Sequence, residues 1–337
     1  MKILVIGGTR FFGYHIARHL IQDGHEVTLF NRGLTPDDFG PRVCRIRGDR
    51  RDRSSFVASL KDCRFDAVID MIAYKAEDSQ VAVETFKDRI GHFIHISTGA
   101  VYLVTQDYPC PLREEDFDRP LYPKPETDDG WWDYGYNKRK SEEVLQESHQ
   151  RSGFPSTILR LPVVIGERDN TLRAYSYFIR LMDKKPHILP DSGMVAQTYI
   201  YQGDIVKTVA SNLQNPASMG KAYNLAQDEM VTLREFVLMS AKILGVEVEL
   251  VDIPSKVLEK ASLGTSFSPL FGRRPFVMEA GKAKRDLGFT STPFEAWMRK
   301  TIRWYREEYE GGPPENYGLR GKELEVIRRY KDAIKSV

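Results

Sequence analysis

Three cysteines in 337 residues, Cys44, Cys63 and Cys110, leave no Cys-x-x-Cys spacing and no even set of partners. That excludes the disulfide frame of a small secreted domain and a cysteine-built zinc site, and predicts free thiols in a reducing compartment. Long apolar runs are missing too: none approaches the roughly 18 residues that a membrane span requires. Neither sign of charge dominates, with 49 Lys plus Arg against 47 Asp plus Glu and a net charge of +2. Composition therefore supplies no basic surface for nucleic acid or anionic lipid. The seven histidines form no His-Glu-x-x-His and none pairs with a cysteine at ligand spacing, so no metal site is expected. There is no Gly-x-Ser-x-Gly, hence no nucleophile elbow of a hydrolase. The chain starts directly on Lys2-Ile3-Leu4-Val5-Ile6 without a basic-then-apolar leader, and a cytoplasmic location is expected.

What is present is ordinary for a globular enzyme: 41% hydrophobic and 28% charged residues, in a chain long for one domain. Short apolar strands at Ile3–Ile6, Glu26–Phe30, Val43–Arg47, Asp66–Asp70, His92–Ile96 and Thr157–Leu161 are separated by longer stretches and never by hairpin turns. That rhythm predicts an α/β protein with a doubly wound parallel Rossmann sheet. Residues 1–165 are expected to form this domain, with return segments near 195–228. Residues 166–194 and 229–318 are assigned to a smaller mixed α/β substrate domain, and 319–337 to a C-terminal helix. Between Thr105 and Asp133, five prolines among many acids read as a long ordered loop or lid, and helix resumes over Asn137–Gln150. Thr232 and Glu235 stand at capping-box spacing and start another helix.

Directly after the first strand comes Gly7-Gly8-Thr9-Arg10-Phe11-Phe12-Gly13. Glycines between a strand and a helix let the backbone approach a pyrophosphate, while the helix N-terminus presents N–H groups and a positive dipole end. The second strand runs into Asn31 and Arg32, where an acid would hold a ribose 2′-hydroxyl and an arginine favours a 2′-phosphate. NADP is the expected cofactor, with NAD as the alternative.

Beyond the fifth strand the chain reads Ser97-Thr98-Gly99-Ala100-Val101-Tyr102, and then Tyr134-Gly135-Tyr136-Asn137-Lys138. A second Tyr-x-x-x-Lys, Tyr136 with Lys140, overlaps the first, so position carries the argument. Two residues turn about 200° around a helix, so only one of the two tyrosines faces a given ligand. With these motifs, and with Gly48-Asp49, Leu159-Arg160-Leu161-Pro162, Tyr223-Asn224-Leu225 and Leu287-Gly288-Phe289, nearly the whole chain resembles the extended short-chain dehydrogenase/reductases of the NAD-dependent epimerase/dehydratase family. The resemblance implies a catalytic set of Thr98, Tyr134 and Lys138. It implies cofactor contacts at Gly7, Thr9, Arg10, Phe11, Phe12 and Gly13, at Asn31 and Arg32, at Asp49 and Arg50, and at Ala73 and Pro162. Lys138 would hold the cofactor ribose and favour ionised Tyr134. The expected substrate is a sugar or nucleotide sugar, and a homodimer is expected.

Three departures sharpen this expectation. Arg10 replaces the middle glycine of the family's turn. Gly99 and Ala100 stand where 4,6-dehydratases carry Asp-Glu, which disfavours elimination of water. Val163 replaces the asparagine that many nucleotide-sugar enzymes place after the sixth strand. The Arg10 loop, Asn31-Arg32-Gly33 and Gly166-Glu167-Arg168-Asp169 resemble a branch that includes chloroplast stem-loop RNA-binding proteins. A non-catalytic Rossmann scaffold that binds RNA or senses nucleotide is the alternative, and near-neutral charge argues against nucleic acid as a partner.

Overall fold

In the computed structural model, which describes residues 1–127 and 130–335, the N-terminal apolar run is strand β1 (Lys2–Ile6). A strand sends alternate side chains to opposite faces. Here Ile3 and Val5 enter one apolar core and Leu4 and Ile6 the other, all four fully buried. Each contributes about 1.5–3 kcal/mol by leaving water. The same division runs through β2 (Glu26–Asn31), β4 (Phe65–Asp70), β5 (Ile90–Thr98) and β6 (Ser156–Leu161).

Helices cover both faces. On one lie α1 (Phe11–Gln22), through Tyr14, Ile16, Ala17 and Leu20, and the helix Gln202–Ser211, through Ile205 and Val209. On the other lie α2 (Arg53–Leu60), α3 (Ala76–Phe86) and α5 (Trp131–Ser152), through Phe56, Phe86 and Leu145; a single turn, α4 (Ala100–Leu103), follows β5. Among the described residues the central sheet has seven strands, ordered Lys221–Asn224, β6, β5, β4, β1, β2 and β3 (Val43–Arg47), and the pairings are parallel. This is the doubly wound Rossmann order with one further strand beyond β6.

The chain divides into two compact units. The first comprises Met1–Val164, Ile200–Asp228 and Met278–Ser291, so it takes in a late segment that the sequence assigns to the substrate domain. The second, Ile165–Tyr199, Glu229–Val277 and Thr292–Val337, carries two small two-stranded pairings: His187–Pro190 parallel to Leu250–Ile253, and Val231–Thr232 antiparallel to Ala196–Gln197. Its helix Leu233–Leu244 starts at the Thr232–Glu235 capping box. Its last helix, Arg320–Lys335, buries Val326 and Ile327 against Ile188, Val251 and Leu258. Arg180 and Glu323, both fully buried, pair at 2.7 Å in the same unit.

The proline-rich stretch is tied down along much of its length. Gln106 N donates to Pro120 O and Tyr122 N to Val104 O, and Glu114 accepts the backbone N–H of Asn224 at 2.8 Å. Asp128 and Asp129 of that stretch, and Ser336 and Val337 of the expected C-terminal helix, lie outside the described residues. Helix α5 starts at Trp131, six residues before the predicted Asn137, so Trp131 and Trp132 belong to its first turn. Cys44, Cys63 and Cys110 are free thiols, and no described helix is long and apolar enough to cross a membrane.

Candidate active site

The glycine turn lies between β1 and α1 at the carboxyl edge of the sheet. Gly7 and Gly8 have φ of +108° and +80°, a region closed to most side chains. A β-carbon on Gly8 would come within 2.9 Å of Val5 Cγ1, and one on Gly13 within 3.4 Å of the Gly8 α-carbon. Asn31 braces the turn: its Nδ2 donates to Gly7 O at 3.3 Å while its Oδ1 accepts from Gly33 N at 2.9 Å. Phe11, largely buried, takes φ +45°, a strained conformation for a bulky residue that costs about 1–3 kcal/mol. Arg10 is the α1 N-cap residue without a side-chain cap, and the first turn of the helix holds no acid. Arg10 Nε instead donates to Thr35 Oγ1 at 2.8 Å, which carries the guanidinium toward the loop after β2. Thr9 and Phe12 are half-buried beside this turn, and Arg32 is exposed.

This turn fits a dinucleotide. Its glycines hold backbone space that any β-carbon would fill, and it opens an uncapped helix N-terminus with no competing acid. At the end of β3, Asp49 meets Arg51 at 2.8 Å, and that guanidinium lowers the carboxyl to about 2, so Asp49 is ionised. Arg50, the next residue, turns inward. Its Nη1 lies 2.6 Å from Asp70 and its Nη2 donates to Asp78 O at 2.7 Å. Ala73 and Pro162 are buried just beyond the ends of β4 and β6.

Thr98 ends β5, and its Oγ1 accepts the backbone N–H of Ala100 at 3.2 Å. Tyr134 sits in the first turn of α5 with 37% of its surface exposed. Lys138, one turn further, is buried and donates to Ala73 O and Ile96 O, both at 2.8 Å. Its ammonium is thus fixed at the carboxyl end of β4 and against β5. Tyr136 stacks on Trp132 at 4.7 Å, and the Lys140 ammonium lies 5.5 Å from its ring centroid, so the second Tyr-x-x-x-Lys pair forms a separate contact.

Burial pushes Lys138 down to about 8; Asp70 and Glu142 oppose this, and Arg50 adds to it. Glu142 forms a buried 2.7 Å pair with Arg160 and accepts from Ser97, and Arg160 also donates to the Tyr102 hydroxyl. Burial raises Tyr102 above the ordinary phenol range, which leaves it a neutral structural group. Sequence reasoning singled out neither Asp70 nor His95. The signal was available: Asp70 closes β4 directly after the apolar run Ala67-Val68-Ile69, and His95 stands between apolar Ile94 and Ile96 in β5.

The model of the NAD dependent epimerase/dehydratase family matches residues 3–226. Over 303 residues the chain is 27% identical to the chloroplast stem-loop binding protein of 41 kDa b of Arabidopsis thaliana, covering 86% of this chain and 74% of the relative. Its fold is similar to that of UDP-glucose 4-epimerase from Thermotoga maritima solved with UDP-glucose, with a TM-score of 0.72 and 20% identity over 91% of this chain and 99% of that one. It is equally similar to dTDP-glucose 4,6-dehydratase from Bacillus anthracis in complex with NAD, with a TM-score of 0.72 and 16% identity over 92% and 98% of the two chains.

Proposed function

For a chain that belongs to the NAD dependent epimerase/dehydratase family, we propose the role of an NAD(P)-dependent epimerase or reductase acting on a sugar or nucleotide sugar, with NADP as its dinucleotide. The observation that carries this reading is the placement of Lys138: a buried ammonium fixed on Ala73 O and Ile96 O, one helical turn from Tyr134 and beside the strand that ends in Thr98.

The dinucleotide would lie on the glycine turn, with Asp49 toward its adenosine end, and would supply the hydride acceptor or donor. The other chemistry belongs to the chain. A phenol ordinarily keeps its proton up to about pH 10, so a tyrosine base near neutrality needs about 4 kcal/mol of phenolate stabilisation. One ammonium about 4 Å away at an effective dielectric of about 20 supplies that order of energy. Tyr134 is the proton acceptor and donor, Lys138 the charge that favours its ionised form, and Thr98 Oγ1 the donor to the substrate oxygen. Exposure of Tyr134 lets a substrate reach it. Gly99 and Ala100 offer no carboxyl pair, so redox change at a hydroxyl-bearing carbon is favoured over elimination of water. Asn31 and Arg32, with no acid at the end of β2, support a 2′-phosphate. The family resemblance supports a homodimer.

Likeness to the stem-loop binding protein favours a second reading, an RNA-binding scaffold. One experiment separates them. The purified protein is incubated with NADPH or NADP and a panel of sugars and nucleotide sugars followed by NMR, and in parallel with stem-loop RNA across a salt series. Turnover that disappears in Tyr134→Phe supports the enzyme. A salt-sensitive RNA complex without turnover of any sugar replaces it with the scaffold.

A further inference from the structure

The loop that follows β2 gathers more positive charge than Arg32 alone. Arg10 reaches it from the start of α1, where its Nε donates to Thr35 Oγ1 at 2.8 Å. Arg47 reaches it from the end of β3, where it is the register partner of Asn31. A β-carbon on Gly33 would stand 3.2 Å from Arg47 Nε, so this guanidinium lies directly beside the residue that follows Arg32. Arg32 is close to Asp49, where its charge adds to the bonds of Arg51 in keeping that carboxyl low. Sequence reasoning named Arg10 and Arg32 but neither Thr35 nor Arg47, which the loop and the strand register bring to them.

These arginines differ from their neighbours. Arg45 is spent on Asp37, Arg50 on Asp70 and Arg51 on Asp49. Among the described residues Arg10, Arg32 and Arg47 form no ion pair, and all three are exposed. Cations gathered in one place repel one another, and a dianion among them turns that repulsion into attraction.

The loop itself is held in place. Phe39 is buried and stacks on Tyr14 of α1 at 5.0 Å, and the Tyr14 hydroxyl donates to Asp38 at 2.7 Å. Asp37 accepts from both Nη atoms of Arg45 at 2.8 and 2.9 Å. Both acids of the loop are thus engaged with α1 and β3, and neither neutralises Arg10. Thr35 Oγ1 accepts from Arg10 and keeps its own hydrogen to donate, and one bond leaves most of the guanidinium N–H groups free.

We propose that Thr35 and Arg47 complete, with Arg10 and Arg32, a site for a phosphate monoester dianion, the 2′-phosphate of NADP. Arg47 is a binding cation supplied by β3. Thr35 is a positioning residue that holds Arg10 across the loop and adds a hydroxyl donor. This inference rests on the reading of the glycine turn as a dinucleotide site with NADP as its occupant, and extends it to two residues outside the glycine turn and the end of β2.

The test is a fluorescence titration of the purified full-length protein with NADPH and NADH, beside a calorimetric titration with adenosine 2′,5′-bisphosphate and AMP. The second pair differs by the same phosphate and lacks the nicotinamide. Arg47→Gln is expected to weaken NADPH and the bisphosphate by about 10- to 100-fold, and NADH and AMP by less than about threefold. Thr35→Val is expected to weaken the same two phosphorylated ligands by about 3- to 10-fold, while Thr35→Ser, which keeps the hydroxyl, retains wild-type affinity. A phosphate monoester gains its second charge near about pH 6, so the preference for NADPH should grow as pH rises through that value, and grow less in Arg47→Gln. Equal losses for NADPH and NADH, or no loss in Arg47→Gln and Thr35→Val, overturn the proposal and leave the dinucleotide site standing. A wild-type protein that holds NADH as tightly as NADPH removes the NADP reading and the proposal with it. A protein that binds neither dinucleotide, and whose affinity for stem-loop RNA falls in Arg47→Gln, gives these arginines to the RNA scaffold and overturns both.

Discussion

Gly135 of α5 packs on the carbonyl of Ala100: a β-carbon on Gly135 would stand 2.5 Å from Ala100 O and 3.0 Å from Val104 Cγ1. The residue between the two candidate tyrosines is therefore the place where α5 meets the turn that follows Thr98. Gly135→Ala is expected to push helix and turn apart at a cost of about 1–3 kcal/mol, as overpacking does. Turnover should fall while dinucleotide affinity changes little, because the glycine turn after β1 is untouched. Thermal denaturation together with kcat and the dissociation constant of the dinucleotide checks this. Unchanged melting and turnover would show that the contact relaxes freely.

The choice between the two tyrosines has a direct consequence. Tyr134→Phe removes the proposed acid/base and should lower kcat by about 10²–10⁴. Tyr136→Phe keeps the ring that stacks on Trp132 and should stay within a few-fold of wild type. Comparing the two variants on one substrate reads this out, and the opposite ranking would move the site to Tyr136 and Lys140.

Cofactor preference should reside in arginines. Arg32→Ala, alone or with Arg10→Ala, is expected to weaken NADPH binding by about 10- to 100-fold and NADH binding far less. A hydrogen bond to a charged group contributes about 1.5–3 kcal/mol. Fluorescence titration with both reduced dinucleotides measures the ratio. An NADPH-to-NADH preference untouched by both substitutions would place the selection elsewhere.

The Lys138 value near 8 also sets a pH window. Its folded-state value lies below the ordinary lysine value of about 10.4. Between the two the unfolded chain binds more protons, so this residue makes stability rise with pH across that interval. Under the proposed role of Lys138, whose ammonium would favour ionised Tyr134, activity moves the other way, and kcat is expected to fall as pH rises above about 8. A pH–rate profile flat to pH 10 would contradict the assigned role of Lys138.

The strands and the glycine turn were legible because a parallel strand buried on both faces is a continuous apolar run, and Ile3–Ile6 is one. Helix α2 was not, since Arg53–Leu60 buries only Phe56 and Leu60 and the rest of its surface has no stripe. The early start of α5 was hidden by the prolines and acids before it; the signal lay in Gly130, whose φ of +94° launches the helix. The return of Met278–Ser291 to the first unit is a long-range pairing that no local pattern announces. At the site, motif and position pointed to Thr98, Tyr134 and Lys138 as candidates. Full burial of Lys138 was not legible, because lysine is ordinarily a surface residue. The carboxylate and imidazole that accompany it, Asp70 and His95, come from separate strands and meet only in the fold.

The most direct test of the account is to denature the purified protein, identify any released nucleotide by chromatography and mass, and titrate the emptied protein with NADPH and NADH. A nicotinamide dinucleotide bound at one per chain is expected, with NADPH held more tightly than NADH. A protein that releases none and binds neither would contradict it and leave the RNA-binding scaffold as the remaining reading.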